Sequence, residues 1–130
     1  MKPIETAARQ VGHLLDMEQE SGVEKYRFSK QRTIEIGEED VAYPRLFDLS
    51  VSFERYQNNG LARNRAELYL RKEEYEKFLF LLIRHKHSLP TDYRQWQEEK
   101  ASVVCMHLEA IEPPEFFAAR LAETFQGFTD

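Results

Sequence analysis

Residues 47–54 read Phe47-Asp48-Leu49-Ser50-Val51-Ser52-Phe53-Glu54, FDLSVSFE. Apolar and polar letters alternate without a break. That is the period-2 pattern of a strand with one face in a core and the other toward water. Downstream, Asn58-Asn59-Gly60 supplies residues that tolerate positive φ, as tight hairpin turns require. The chain then returns with Ala66, Leu68 and Leu70 on one face. Upstream, Tyr26 and Phe28 alternate with Arg27 and Ser29, and Ile34 and Ile36 keep the same parity, as one long strand or two short ones. Gly37-Glu38-Glu39-Asp40 reads as the turn between.

Helical periods flank this strand-rich middle. Ile4, Ala7, Ala8, Val11, Leu14 and Leu15 form one stripe, with Pro3 in the first turn, Ser21-Gly22 as the expected end, and His13 beside the stripe facing water. A second helix is expected from about Lys72. Its early Glu73, Glu74 and Glu76 suit the positive end of the backbone dipole, and Tyr75, Phe78, Leu79, Leu82 and Ile83 make its stripe. Gln95 to Ala110 reads as one further strand, strongest from Val103. Pro113-Pro114-Glu115 opens a last helix carrying Phe117, Leu121 and Phe125. The expected fold is α+β: an antiparallel sheet of about four strands with helices packed on it, order α-β-β-β-α-β-α, in a single domain over residues 1–130.

Composition narrows the class. The 130 residues carry a net charge of −5, are 42% hydrophobic and include sixteen aromatics, enough for a packed core. Residues 24–72 hold ten Lys/Arg against eight Asp/Glu, while residues 88–130 hold three against eight. A general polyanion binder is not expected from such a balance; a local basic face is compatible with it. One cysteine makes no internal disulfide, no secretory signal is read, and the longest apolar run, Phe78 to Ile83, is too short to span a bilayer. The expectation is a cytoplasmic protein with no membrane segment.

Cys105, His107 and Glu109 fall on one face of the strand VVCMHLEA, 103–110. Same-face neighbours on a strand stand roughly 6.5–7 Å apart, too far for a nucleophile and its base unless the side chains lean together. Cys105 is therefore read as a packing residue, and no catalytic residue is assigned. On a helix His85-Lys86-His87 would hold its imidazoles on opposite sides; on an extended segment the two could bind one ion, with His107 as a third ligand that nothing in the sequence brings near. No CxxC or HExxH pattern occurs, so neither metal nor cofactor is expected. With five glycines and no GxGxxG or GKS/T, a phosphate loop is not expected either.

Two surfaces remain. Phe80 and Leu81 make the second helix apolar nearly all round, and Phe116 doubles Phe117. Apolar surface beyond what one sheet covers points to a partner protein or a second copy of the chain. Alternatively, Arg27, Phe28, Arg55, Tyr56, Arg63 and Arg65 interleave cations with rings, the chemistry with which sheets hold single-stranded DNA or RNA. The helix, three strands, helix, strand, helix order and the acidic balance resemble small secretion chaperones of the α+β type. The resemblance lies in element order and assigns no residue a role. The leading expectation is a protein-binding function of the inhibitor, immunity, phage or plasmid accessory, or chaperone kind, acting by occluding a partner surface.

Overall fold

The computed structural model describes residues 3–21, 25–38, 41–100 and 102–127. The architecture is α+β, with three helices and a single six-stranded antiparallel sheet among these residues. The elements run α1 (Pro3–Leu15), β1 (Glu18–Ser21), β2 (Lys25–Glu38), β3 (Val41–Glu54), β4 (Ala62–Arg71), a 3-10 turn (Lys72–Glu74), α2 (Tyr75–Ile83), β5 (Arg94–Lys100), β6 (Val103–Glu112) and α3 (Pro114–Gln126). The strands lie side by side as β1-β2-β3-β4-β6-β5.

The expected count of about four strands is corrected to six. α1 stops at Leu15, where Asp16 adopts φ 54°, so the chain turns before Ser21-Gly22 and has room for β1. Gln95–Ala110 is two strands rather than one, paired to each other through Trp96↔His107 and Glu98↔Cys105. Tyr26 to Ile36 is one continuous strand, and β3 begins at Val41. Residues 39 and 40 of the expected turn lie outside the described residues. The Asn58-Asn59-Gly60 turn forms as expected, with Gly60 at φ 87°. No helix among the described residues is long and apolar enough to cross a membrane.

Strand parity assigns the two faces. Phe28, Leu49, Val51, Phe53, Leu68, Leu70, Val104, Met106 and Leu108 share one core with Val11 and Leu15 of α1, Phe78 and Leu82 of α2, and Phe117 and Leu121 of α3. All three helices therefore cover one side, and the other side stays open. β2 and β3 outrun the sheet: residues 30–38 and 41–49 pair only with each other. Pro44, which has no N–H to donate, sits in this ribbon where β3 has no second neighbour. The ribbon coils, as two-stranded ribbons do. Ile34 and Ile36, which share the parity of Phe28, end up packed with Val103, Phe47 and Tyr69 in a second, smaller cluster. The Phe47 and Tyr69 rings meet at 4.9 Å.

A buried ion pair holds the helices to the sheet end. Arg120 of α3 donates from Nη1 and Nη2 to the Glu112 carboxylate at 2.7 and 2.6 Å, from Nε to the His87 carbonyl at 2.9 Å, and from Nη2 to the Ser88 carbonyl at 3.2 Å. The planar fork fits a carboxylate with two parallel bonds while its remaining donors reach the loop after α2. Beside it, Asn64 Nδ2 donates to the carbonyls of Ala62, Ala110 and Glu112. Arg120→Met leaves the Glu112 charge buried and alone, and is expected to cost about 3–5 kcal/mol in urea unfolding, whereas Arg120→Met with Glu112→Met recovers most of that loss.

Candidate functional site

The open face is organised by cross-strand register. One row runs Glu20, Arg27, Ser52, Arg65, Glu109, Arg94 from β1 to β5. The next runs Glu18, Ser29, Ser50, Glu67, His107, Trp96, and a third carries Tyr69, Cys105 and Glu98. Opposite charges in register on a water-facing sheet stabilise it pairwise.

Glu109 is the electrostatic centre of the first row. Its Oε1 accepts from Arg63 Nη2 at 3.1 Å and from Arg94 Nη2 at 2.9 Å, and its Oε2 lies 3.6 Å from Arg65 Nε. Burial pushes the Glu109 carboxyl up, but the hydrogen bonds from Arg63 and Arg94 and the Arg65 charge outweigh it and hold the group below the usual carboxylate range. Arg55, at φ 56°, lines a shallow depression with Arg63, Arg94 and Glu109, and Arg27 lines its neighbour with Arg65, Glu67, Trp96 and His107.

Arg27, Arg55, Arg63 and Arg65 are thus brought to one side of the molecule. Their expected aromatic partners are not. Phe28 is fully buried beneath the helices, and Tyr56 packs half-buried toward the main core, 6.3 Å from the Phe53 ring. Alternation required this split, since Arg27 and Phe28 are adjacent on one strand. An exposed ring does stand beside Arg27 and Arg65: Trp96, 43% accessible and stacked on His107 at 5.2 Å with an interplanar angle of 5°. Sequence reasoning missed it because Arg-Gln-Trp-Gln-Glu-Glu-Lys carries no apolar alternation.

Cys105 and His107 depart from the separation expected of them. They lean together, with Sγ to Nε2 at 3.6 Å, and Glu67 Oε1 lies 3.7 Å from the sulfur. Burial pushes the Cys105 thiol up, a hydrogen bond from Tyr69 pulls it down, and Glu67 pushes it up again, leaving it above its ordinary value. The sulfur stays a thiol at neutral pH and its residue is 1% exposed, a poor disposition for nucleophilic attack.

The helical candidates lie apart. Phe80 is 53% exposed, with the Arg84 guanidinium 4.4 Å from its ring centroid. Ile83, one turn on, is expected from sequence in the inward stripe with Phe78 and Leu82; at the last position of α2 it faces out instead and is 63% exposed. Leu81 turns inward to the end of α3, so close that a Cβ on Gly127 would stand 2.7 Å from its Cδ1. Phe116 is 44% exposed and carries the His87 ring stacked at 4.2 Å. The two histidines are otherwise engaged: His85 pairs with Glu123, and its Nδ1 accepts the His87 backbone N–H at 3.0 Å.

The chain matches no protein-family model, no curated protein and no solved structure.

A carboxyl whose pKa is lower in the folded than in the unfolded chain stabilises the fold above its unfolded value and stops doing so as pH falls through the folded one. Glu109→Gln is expected to be less stable than wild type by only about 1 kcal/mol at neutral pH, because Arg65 and Arg94 are exposed and the water around them screens the pairing. That gap should close as pH falls through and below the usual carboxylate range, because the folded-state carboxyl titrates lower than the unfolded one. Thermal unfolding across that range checks it.

Proposed function

We infer that the chain is a cytoplasmic protein that acts by binding another protein, through the outward face of α2 with Phe116 at its flank. The observation that carries this is Phe80 and Ile83. They stand one turn apart on a nine-residue helix whose opposite side, Phe78 and Leu82, is already buried. A helix apolar on two sides with only one covered leaves the second for a partner. Leu81 supports that face from behind through its packing on α3, and Arg84, Lys86, Glu76 and Lys77 give it a charged rim. Binding there would occlude a partner surface, the mode shared by inhibitors, immunity proteins, phage or plasmid accessory proteins and chaperones. A second copy of the chain is the simplest such partner.

Phe80→Asp and Ile83→Asp are expected to abolish self-association or partner retention while changing stability by no more than about 0.5 kcal/mol, as for surface sites. Sedimentation over a concentration series, with affinity capture from native lysate and mass measurement of what elutes, reads the first. Chemical unfolding reads the second. The reading fails where both variants unfold, or where wild type and variants sediment alike and carry the same proteins.

A second reading, single-stranded nucleic acid on the open face, is favoured by Arg27, Arg55, Arg63 and Arg65 sharing a side with Trp96. Oligonucleotide affinity falling steeply with salt would support it. Its strength is reduced by Glu109, which holds three guanidinium groups.

A further inference from the structure

Three ligand-type atoms from two adjacent strands converge on the open face. Glu67 of β4 and Cys105 and His107 of β6 bring a carboxylate oxygen, a thiol sulfur and an imidazole nitrogen within 4.8 Å of one another. The register makes the convergence. Glu67 is the cross-strand partner of His107, and Cys105 sits diagonally from it on the same face. Glu98 of β5, the cross-strand partner of Cys105, stands outside this group and approaches His107 alone, with Oε1 3.6 Å from Nε2.

Two of the three spacings are those of a coordination shell, and the third, from Glu67 to His107, stays within 4.8 Å. Zinc bonds of about 2.3 Å to sulfur and about 2.0–2.2 Å to nitrogen and oxygen, set at tetrahedral angles, put neighbouring ligand atoms about 3.4–3.6 Å apart. The observed S···N separation is 3.6 Å and the S···O separation 3.7 Å. A thiol has one hydrogen, so it serves Glu67 or His107 but not both; a cation takes a lone pair from each of the three. We propose that Glu67, Cys105 and His107 form a three-ligand site for a divalent transition-metal ion of the zinc class, its fourth position left to water.

The donor set decides the class of ion. A thiolate with an imidazole selects zinc and its borderline neighbours over magnesium or calcium, which take oxygen shells. Binding displaces the thiol proton to solvent, and the sulfur becomes an anionic ligand. Tyr69, the cross-strand partner of Cys105, shares the face on which the sulfur lies. Trp96, stacked on the ligating ring, reports on the site without touching the metal.

The test uses the purified full chain, stripped with chelator, kept reduced with a non-thiol reductant and titrated with zinc or cobalt(II) salts. The expected result is one ion per chain by calorimetry, a thiolate-to-cobalt absorption in the near ultraviolet, and quenching of Trp96 emission by cobalt. Cys105→Ser should remove the near-ultraviolet absorption. Glu67→Gln, at an exposed position, should weaken binding by about 10–100-fold or more while leaving the far-ultraviolet spectrum unchanged. A His85→Gln/His87→Gln double variant should bind as wild type does. If Cys105→Ser fails to fold, Glu67→Gln and His107→Gln carry the comparison. The proposal is overturned by wild-type protein that binds neither ion below millimolar concentration, or by binding that the substitutions at Glu67, Cys105 and His107 leave unchanged, the His85/His87 variant then telling whether that pair holds the ion instead.

Discussion

The β4–β6 pairing is the constraint on which the rest of the molecule depends. Ten consecutive residue pairs, from Ala62↔Glu112 to Arg71↔Val103, fix these two central strands against each other. A slip of one residue would turn Leu68, Leu70, Met106 and Leu108 to water and bring Arg65, Glu67 and Glu109 under the helices. Burial of the apolar set forbids it, at roughly 1.5–3 kcal/mol for each large side chain. The polar face therefore inherits its geometry from the core. Glu67 faces His107, and Glu109 lies among three arginines, because the other parity is packed beneath α1, α2 and α3.

Charge counted along the chain gives a misleading picture of the surface. The acidic C-terminal third looks like an anionic rim, and the middle looks like a basic strip. In the fold much of each cancels the other. Glu109 from the acidic third holds Arg63 and Arg65 from the middle. Glu112 is buried on Arg120, and Glu123 is paired with His85, whose hydrogen bond is the main reason its carboxyl lies below the usual range. A buried ion pair of the Arg120 kind adds less stability than its short bonds suggest, since both groups are desolvated. What it adds is definition: one arginine fixes a helix, a strand end and the loop after α2 to a single arrangement.

Periodicity was legible where one face is buried and the other wet. FDLSVSFE, the first helix stripe and the Asn-Asn-Gly turn all carry that signal. Two edge strands did not: Glu18, Gln19 and Glu20 of β1 and Arg94–Lys100 of β5 bury almost nothing, so their pairing is a matter of backbone hydrogen bonds that no side-chain pattern records. Polar letters on such strands are also what keeps a sheet edge from recruiting other chains. The parity of Cys105, His107 and Glu109 was readable, and so was the all-round apolar character of α2. The lean that brings sulfur to imidazole was not, because it depends on rotamers selected by Tyr69, Glu67 and Trp96 on neighbouring strands. Nor was the inward turn of Leu81, which depends on the tail end of a helix more than forty residues away.

The coiled ribbon of residues 30–38 and 41–49 gives the molecule two levels of cohesion. Its tip is tied down by Ile34, Ile36 and Phe47 on Val103 and Tyr69, a cluster that shares no buried residue with the main core. Lifting that ribbon exposes a few side chains and gives up the Arg32 bonds to the Tyr69 carbonyl and Glu74 and the Lys30 bond to the Leu15 carbonyl, while the helices and the central strands stay packed on one another. Amide protons along it therefore trade with water by a local opening well below the free energy of global unfolding. The molecule can loosen at one end without ceasing to be folded at the other.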